Sequence, residues 1–152
     1  MASDGADYSV DGLAEVLGRF EALEYDIKRK GGRFALLKAA QVLRDQARAN
    51  AELVDDPMTE SNIAENIAVK WAGKTFKLTG DMEFNVGVRG GAKSGGTFHW
   101  RFLEFGTSKM RAQPIFRQVP GQAGQQAVDE FIKQYSKKID RVLKAANRRA
   151  SE

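Results

Sequence analysis

Cysteine is absent from the 152 residues, which excludes disulfides, thiolate metal sites and thiol catalysis. Histidine occurs once, as His99, so neither a two-histidine metal site nor a histidine pair for proton relay can be built within one chain. No apolar run approaches the ~20 residues that cross a bilayer, and no membrane span is expected. The opening Met-Ala-Ser-Asp-Gly-Ala-Asp has neither a basic nor an apolar region of the kind a signal peptide needs, so standard secretion is not expected either.

What remains is ordinary for a soluble globular chain, 42% hydrophobic and 29% charged. A chain of this length buries roughly 70% of its unfolded surface, enough for one core. We expect a flexible tail over residues 1–9 and a single α+β domain over 10–150. The net charge of +4 is uneven: residues 1–76 hold 10 basic and 13 acidic side chains, residues 77–152 hold 14 and 7. Between Lys133 and Arg149 the seven Lys or Arg meet one acid, Asp140, a surface suited to phosphates, an acidic protein or water alone.

Val10, Leu13, Leu17, Phe20 and Ile27 recur at three- and four-residue steps and predict a first helix. Gly31-Gly32 is expected to break it. Phe34, Leu36, Leu37, Ala40, Leu43, Ala47 and Ala51 then predict a second helix to about Leu53, stopped near Pro57. Asn62 to Glu65 has capping-box spacing and predicts one or two helical turns. The period then changes to two, and strands are expected at Ile67 to Trp71, Phe76 to Leu78, Met82 to Val88 and Thr97 to Phe105. Turns fall at Ala72-Gly73 and Gly80-Asp81. Four glycines in the seven residues from Gly90 to Gly96 predict a mobile loop, with Gly90, Gly91, Lys93, Gly95 and Gly96 as its marked positions. Gly106 to Pro120 reads as an ordered loop. A stripe from Val128 through Phe131, Ile132, Tyr135, Ile139, Val142 and Leu143 to Ala146 predicts a long docked final helix. The expected fold is a small antiparallel sheet of about four strands packed against two N-terminal helices and one C-terminal helix.

Chemistry-bearing patterns are few. Gly87 to Ser94 misses the phosphate-loop pattern by one position, Ala92 standing for its second glycine, and a strand is expected where that loop needs a helix. His99 has no carboxylate near it in sequence to orient it as a base. Glu104 is expected on the face of Trp100 and Phe102, where a carboxylate must find a donor, and Thr107, Lys109 and Arg111 are the candidates to supply one. That arrangement would pin the loop that follows. No nucleophile stands beside a base, so no enzymatic activity is expected. Lys137, Lys138, Arg141, Lys144, Arg148 and Arg149 leave a second reading, a small nucleic-acid-binding module that uses the basic final helix.

The segment Trp100-Arg-Phe-Leu-Glu-Phe-Gly-Thr-Ser-Lys-Met-Arg-Ala-Gln-Pro-Ile-Phe116 closely resembles the signature of the neck and tail-completion, or tail-component, proteins of lambdoid siphophages. In that family an aromatic strand ends in Glu-Phe-Gly-Thr, then Ser-Lys, a short loop, and a Pro followed by aromatics that open the last helix. The layout of residues 10 to 145 is similar as well, with Asp11-Gly12-Leu13 leading the first helix and Ala47-Arg-x-x-Ala51 closing the second. Ile115 departs from the family's usual Phe after the Pro. The resemblance implies a virion structural protein without cofactor, made in the host cytoplasm and placed at the neck or tail top. Its implied partners are a ring of its own copies, a hexamer being one option, formed on assembly, a head-closure or connector protein, and a tail terminator or tail tube protein. Packaged DNA would pass nearby, and no membrane is involved. The implied interface or signature-loop residues are Glu104, Phe105, Gly106, Thr107, Lys109, Arg111, Pro114 and Phe116.

Overall fold

The computed structural model describes residues 25–56, 58, 62–89 and 97–151. The expected tail over 1–9, the first expected helix up to residue 24 and the loop from Gly90 to Gly96 lie outside these residues. Within them the order is helix α1 (Tyr25–Val54), a one-turn helix α2 (Ile63–Asn66), strand β1 (Ile67–Trp71), helix α3 (Gly73–Thr79), strand β2 (Phe84–Val88), a 3-10 turn (Thr97–His99), helix α4 (Trp100–Phe105) and helix α5 (Val119–Ala150). The architecture is α+β, with a sheet of two strands rather than about four.

The expected break at Gly31-Gly32 does not occur, since α1 runs through both glycines. Two glycines in a helix interior cost about 1 kcal/mol each against alanine, and the neighbouring elements explain why they are kept. A Cβ on Gly31 would lie 2.9 Å from Tyr135 Cε2 in α5, and one on Gly32 would lie 2.9 Å from Met82 Cε. The glycines let other elements approach the α1 backbone. At the other end of α1, Asn50 Nδ2 donates to Gln122 Oε1 (2.8 Å), so α1 and α5 lie antiparallel along most of their shared length.

Strands β1 and β2 pair antiparallel, Ile67 opposite Val88, Val69 opposite Val86 and Trp71 opposite Phe84. Their connection contains α3, where a strand was expected at Phe76 to Leu78. Gly80, at φ +80°, ends that helix and donates its N–H to Phe76 O (2.9 Å), a left-handed C-terminal cap. Phe76 turns back onto Trp71 with ring centroids 5.5 Å apart, while Leu78 is left 85% exposed. The Arg33 guanidinium covers Trp71 at 4.2 Å and that of Arg29 covers Phe76 at 4.6 Å, tying this corner to α1. The expected turn of helix at Asn62 is present. Its side chain accepts the N–H groups of Ala64 and Glu65, and Arg48 donates to Ile67 O (2.8 Å) just beyond.

The main core joins Ala47 and Ala51 of α1 to Ile63, Ile67, Ile115 and Val119, with Trp100, Leu103 and Phe116 packed around it. Ile63, Ile67 and Ile115 are fully buried, and each contributes roughly 2 kcal/mol by leaving water. A smaller cluster of Ala35, Tyr135 and Ile139 holds the far end of the helix pair.

Candidate functional site

The second missing strand is Thr97 to Phe105, which forms the 3-10 turn and α4. Its faces follow a helical step. Trp100, Leu103 and Glu104 turn inward, while Phe102 and Phe105 are 48% and 68% exposed. Glu104 therefore shares a face with Trp100 but not with Phe102. Gly106 ends the helix at φ +73° and ψ 174°, a conformation close to glycine-only, and donates its N–H to Phe102 O (2.8 Å). A Cβ at Gly106 would lie 2.8 Å from Ala112 N and 3.0 Å from Met110 O.

Past Gly106 the chain makes a compact hook. Thr107 and Met110 exchange backbone hydrogen bonds, Thr107 Oγ1 accepts the N–H groups of Lys109 and Met110, and Gln113 donates to Leu103 O (2.7 Å). The chain then passes Pro114 and reaches the carboxylate of Glu104. That group is 4% exposed and accepts three successive backbone N–H groups, from Ile115 (2.6 Å), Phe116 (2.9 Å) and Arg117 (3.0 Å). Arg117 also donates from its guanidinium to Glu104 O (2.8 Å) and lies 3.9 Å from the carboxylate. A buried carboxylate needs such donors. They come from the backbone beyond Pro114, not from Thr107, Lys109 or Arg111, the candidates named from sequence.

Asn50 completes the clamp and carries no mark in the sequence beyond being polar amid the alanines of α1. It is 4% exposed, donates to Ile115 O (2.9 Å) and accepts from Gln46 Nε2 (3.1 Å). Ile115 is thus held by its N–H, its carbonyl and its fully buried side chain. Phe116 meets Trp100 edge to face at 5.5 Å. Lys109 and Arg111 are exposed at the tip of the hook, as are Phe105 and Met110 beside it. His99, without a carboxylate near it in sequence, meets one in the fold. Asp55, brought round from the end of α1, places Oδ1 3.5 Å from His99 Nε2 while its Oδ2 accepts the N–H of Ile63 (2.8 Å).

Beside the hook, α1, α5 and β2 enclose an open apolar groove of about 600 Å³, with Leu36, Leu43, Val86, Phe116, Val128 and Phe131 on its walls. Among the described residues no cluster of three His, Asp or Glu side chains forms a metal site, and no helix is long and apolar enough to cross a membrane. The arrangement presents apolar side chains on a tightly bonded support.

A family model described as "Bacteriophage HK97-gp10, putative tail-component" matches residues 14–106. The matched stretch ends at the glycine that closes α4, so it contains Glu104 but not the three N–H groups that the carboxylate binds. No curated protein and no solved structure gives a significant match.

Proposed function

The chain belongs to the HK97-gp10-like family of bacteriophage tail components, and from that premise we propose that it joins heads to tails or completes the tail, as one subunit of a ring of its own copies at the neck of the particle. In this reading its role is structural and not enzymatic. Its other contacts are a head-closure or connector protein on one side and a tail terminator or tube protein on the other.

The observation that carries the reading is the hook from Trp100 to Phe116. Its internal hydrogen bonds hold Phe102 and Phe105 in water, at 48% and 68% exposure, on a support too constrained to fold them away. Exposed aromatic groups on a rigid base, next to an open apolar groove, mark an interaction surface. A closed ring needs two different complementary patches on each copy. The aromatic edge of α4 and the groove between α1 and α5 supply a projection and a hollow of the same chemistry. The occupant we assign to the groove is the neighbouring copy.

Phe105→Asp tests this. The side chain is two-thirds exposed, so the free protein should keep its fold and melting temperature. Complementation of a phage lacking the gene should fail. Full complementation by the Phe102→Asp, Phe105→Asp double variant would refute the assignment of this edge.

A further inference from the structure

The function proposed above does not use the outer face of α5. On a helix that turns 100° per residue, Lys133, Lys137, Arg141, Lys144 and Arg148 fall within roughly 80° of one another, while Tyr135 and Ile139 occupy the opposite, packed side. The structure agrees: Tyr135 and Ile139 are buried, and all five basic residues are exposed. Among the described residues none of the five is ion-paired, and the single acid on the stripe, Asp140, is exposed as well. The stripe is roughly 22 Å long at 1.5 Å per residue.

We propose that this stripe is a sequence-independent binding surface for double-stranded DNA. Phosphates recur every ~3.4 Å along each strand, so a straight row of cations of this length faces several at once. The composition argues against a protein partner. Interface centres are enriched in aromatic residues and depleted in lysine, whereas the aromatic residues of α5, Phe131 and Tyr135, lie in its apolar stripe against the small cluster with Ala35. The same absence of exposed rings argues against single strands, which are held by stacking. The inference stands whether or not the chain forms a ring.

The test is fluorescence anisotropy of the full chain with two labelled 30-base-pair duplexes of unrelated sequence. About five phosphate contacts predict a slope near −4.5 for log K against log salt, or roughly a 500-fold loss of affinity between 50 and 200 mM. The two duplexes should bind equally. Lys137→Gln/Arg141→Gln/Lys144→Gln should weaken binding at least tenfold and reduce the slope by about 2.7. The control Lys70→Gln/Lys74→Gln/Lys77→Gln removes the same charge from exposed positions elsewhere and should leave affinity within about threefold. Circular dichroism of both variants establishes that they fold. Wild-type affinity in the α5 variant, or an equal loss in the control, would overturn the proposal. So would failure to bind duplex alongside binding of labelled poly-glutamate, which would point to an acidic protein instead. Complementation by Phe105→Asp reads the ring and this assay reads DNA, so each can fail without the other.

Discussion

Replacing Glu104 by Gln keeps the shape of the side chain and changes only its hydrogen bonding. The carboxylate accepts from Ile115 and Phe116 on one oxygen and from Arg117 on the other. An amide can turn its oxygen toward the first pair, but its NH₂ then faces the Arg117 N–H, donor against donor. One charge-assisted bond is lost, two become neutral, and a buried donor is left opposed, together worth about 3 kcal/mol. In a chain of this size each kcal/mol moves the melting temperature by roughly 2–4 °C, so E104Q should melt roughly 6–12 °C below wild type. Arg117→Ala is the matched control. Its side chain is 60% exposed, lies 3.9 Å from the carboxylate and donates to Glu104 O (2.8 Å), and an exposed ion pair with one such hydrogen bond contributes about 1–2 kcal/mol. Thermal unfolding followed by circular dichroism measures both. An E104Q melting temperature within 2 °C of wild type, or a larger loss in Arg117→Ala, would refute the view that the carboxylate's backbone bonds hold the hook.

Gly106→Val should cost about 3 kcal/mol or more in equilibrium denaturation, because it combines a φ of +73° with a Cβ 2.8 Å from Ala112 N, and it should abolish head-tail joining. Gly31→Ala and Gly124→Ala should have opposite signs in the same assay: the first drives a methyl to 2.9 Å from Tyr135, while the second meets nothing within 4 Å and should stabilise α5 by about 1 kcal/mol. Burial raises the Tyr135 phenol above its ordinary value near 10. The folded state therefore keeps its proton where the unfolded state has released it, so this contribution is complete below pH ~10 and is lost as pH rises through the folded value. Stability measured from pH 9 to 11 should fall with pH, and Tyr135→Phe should flatten that fall.

Long regular signals were legible in the sequence and short ones were not. The stripes of α1 and α5 and the alternation of β1 and β2 were visible, because each repeats one physical demand over several residues; the cap at Asn62 is the exception, a short signal carried by residue type and spacing. Both missing strands fail for one shared reason. The apolar signal in Phe76 to Leu78, and from Trp100 onward in Thr97 to Phe105, is too short for a period of two to be told from one of 3.6, and both runs lead to a glycine that reads equally as a turn and as a helix cap. Gly80 and Gly106, the positive-φ glycines of the described residues, are caps. Gly31-Gly32 misled in the other direction, since their use lies in the close approach of Tyr135 and Met82, which are distant in sequence. In the hook, a loop-pinning role for Glu104 was readable from its apolar surroundings. Its donors were not, because backbone N–H groups carry no residue signature, and the two bonds that Asn50 donates go to partners 65 and 72 positions away.

Electron micrographs of lysates from a phage carrying a null allele of the gene read the proposed joining of heads to tails. DNA-filled heads beside unattached tails are expected, or abnormally long tails if tail completion is the step lost, with joining restored by the wild-type gene and not by Phe105→Asp. Infectious, fully joined particles from the null allele would refute the proposed function.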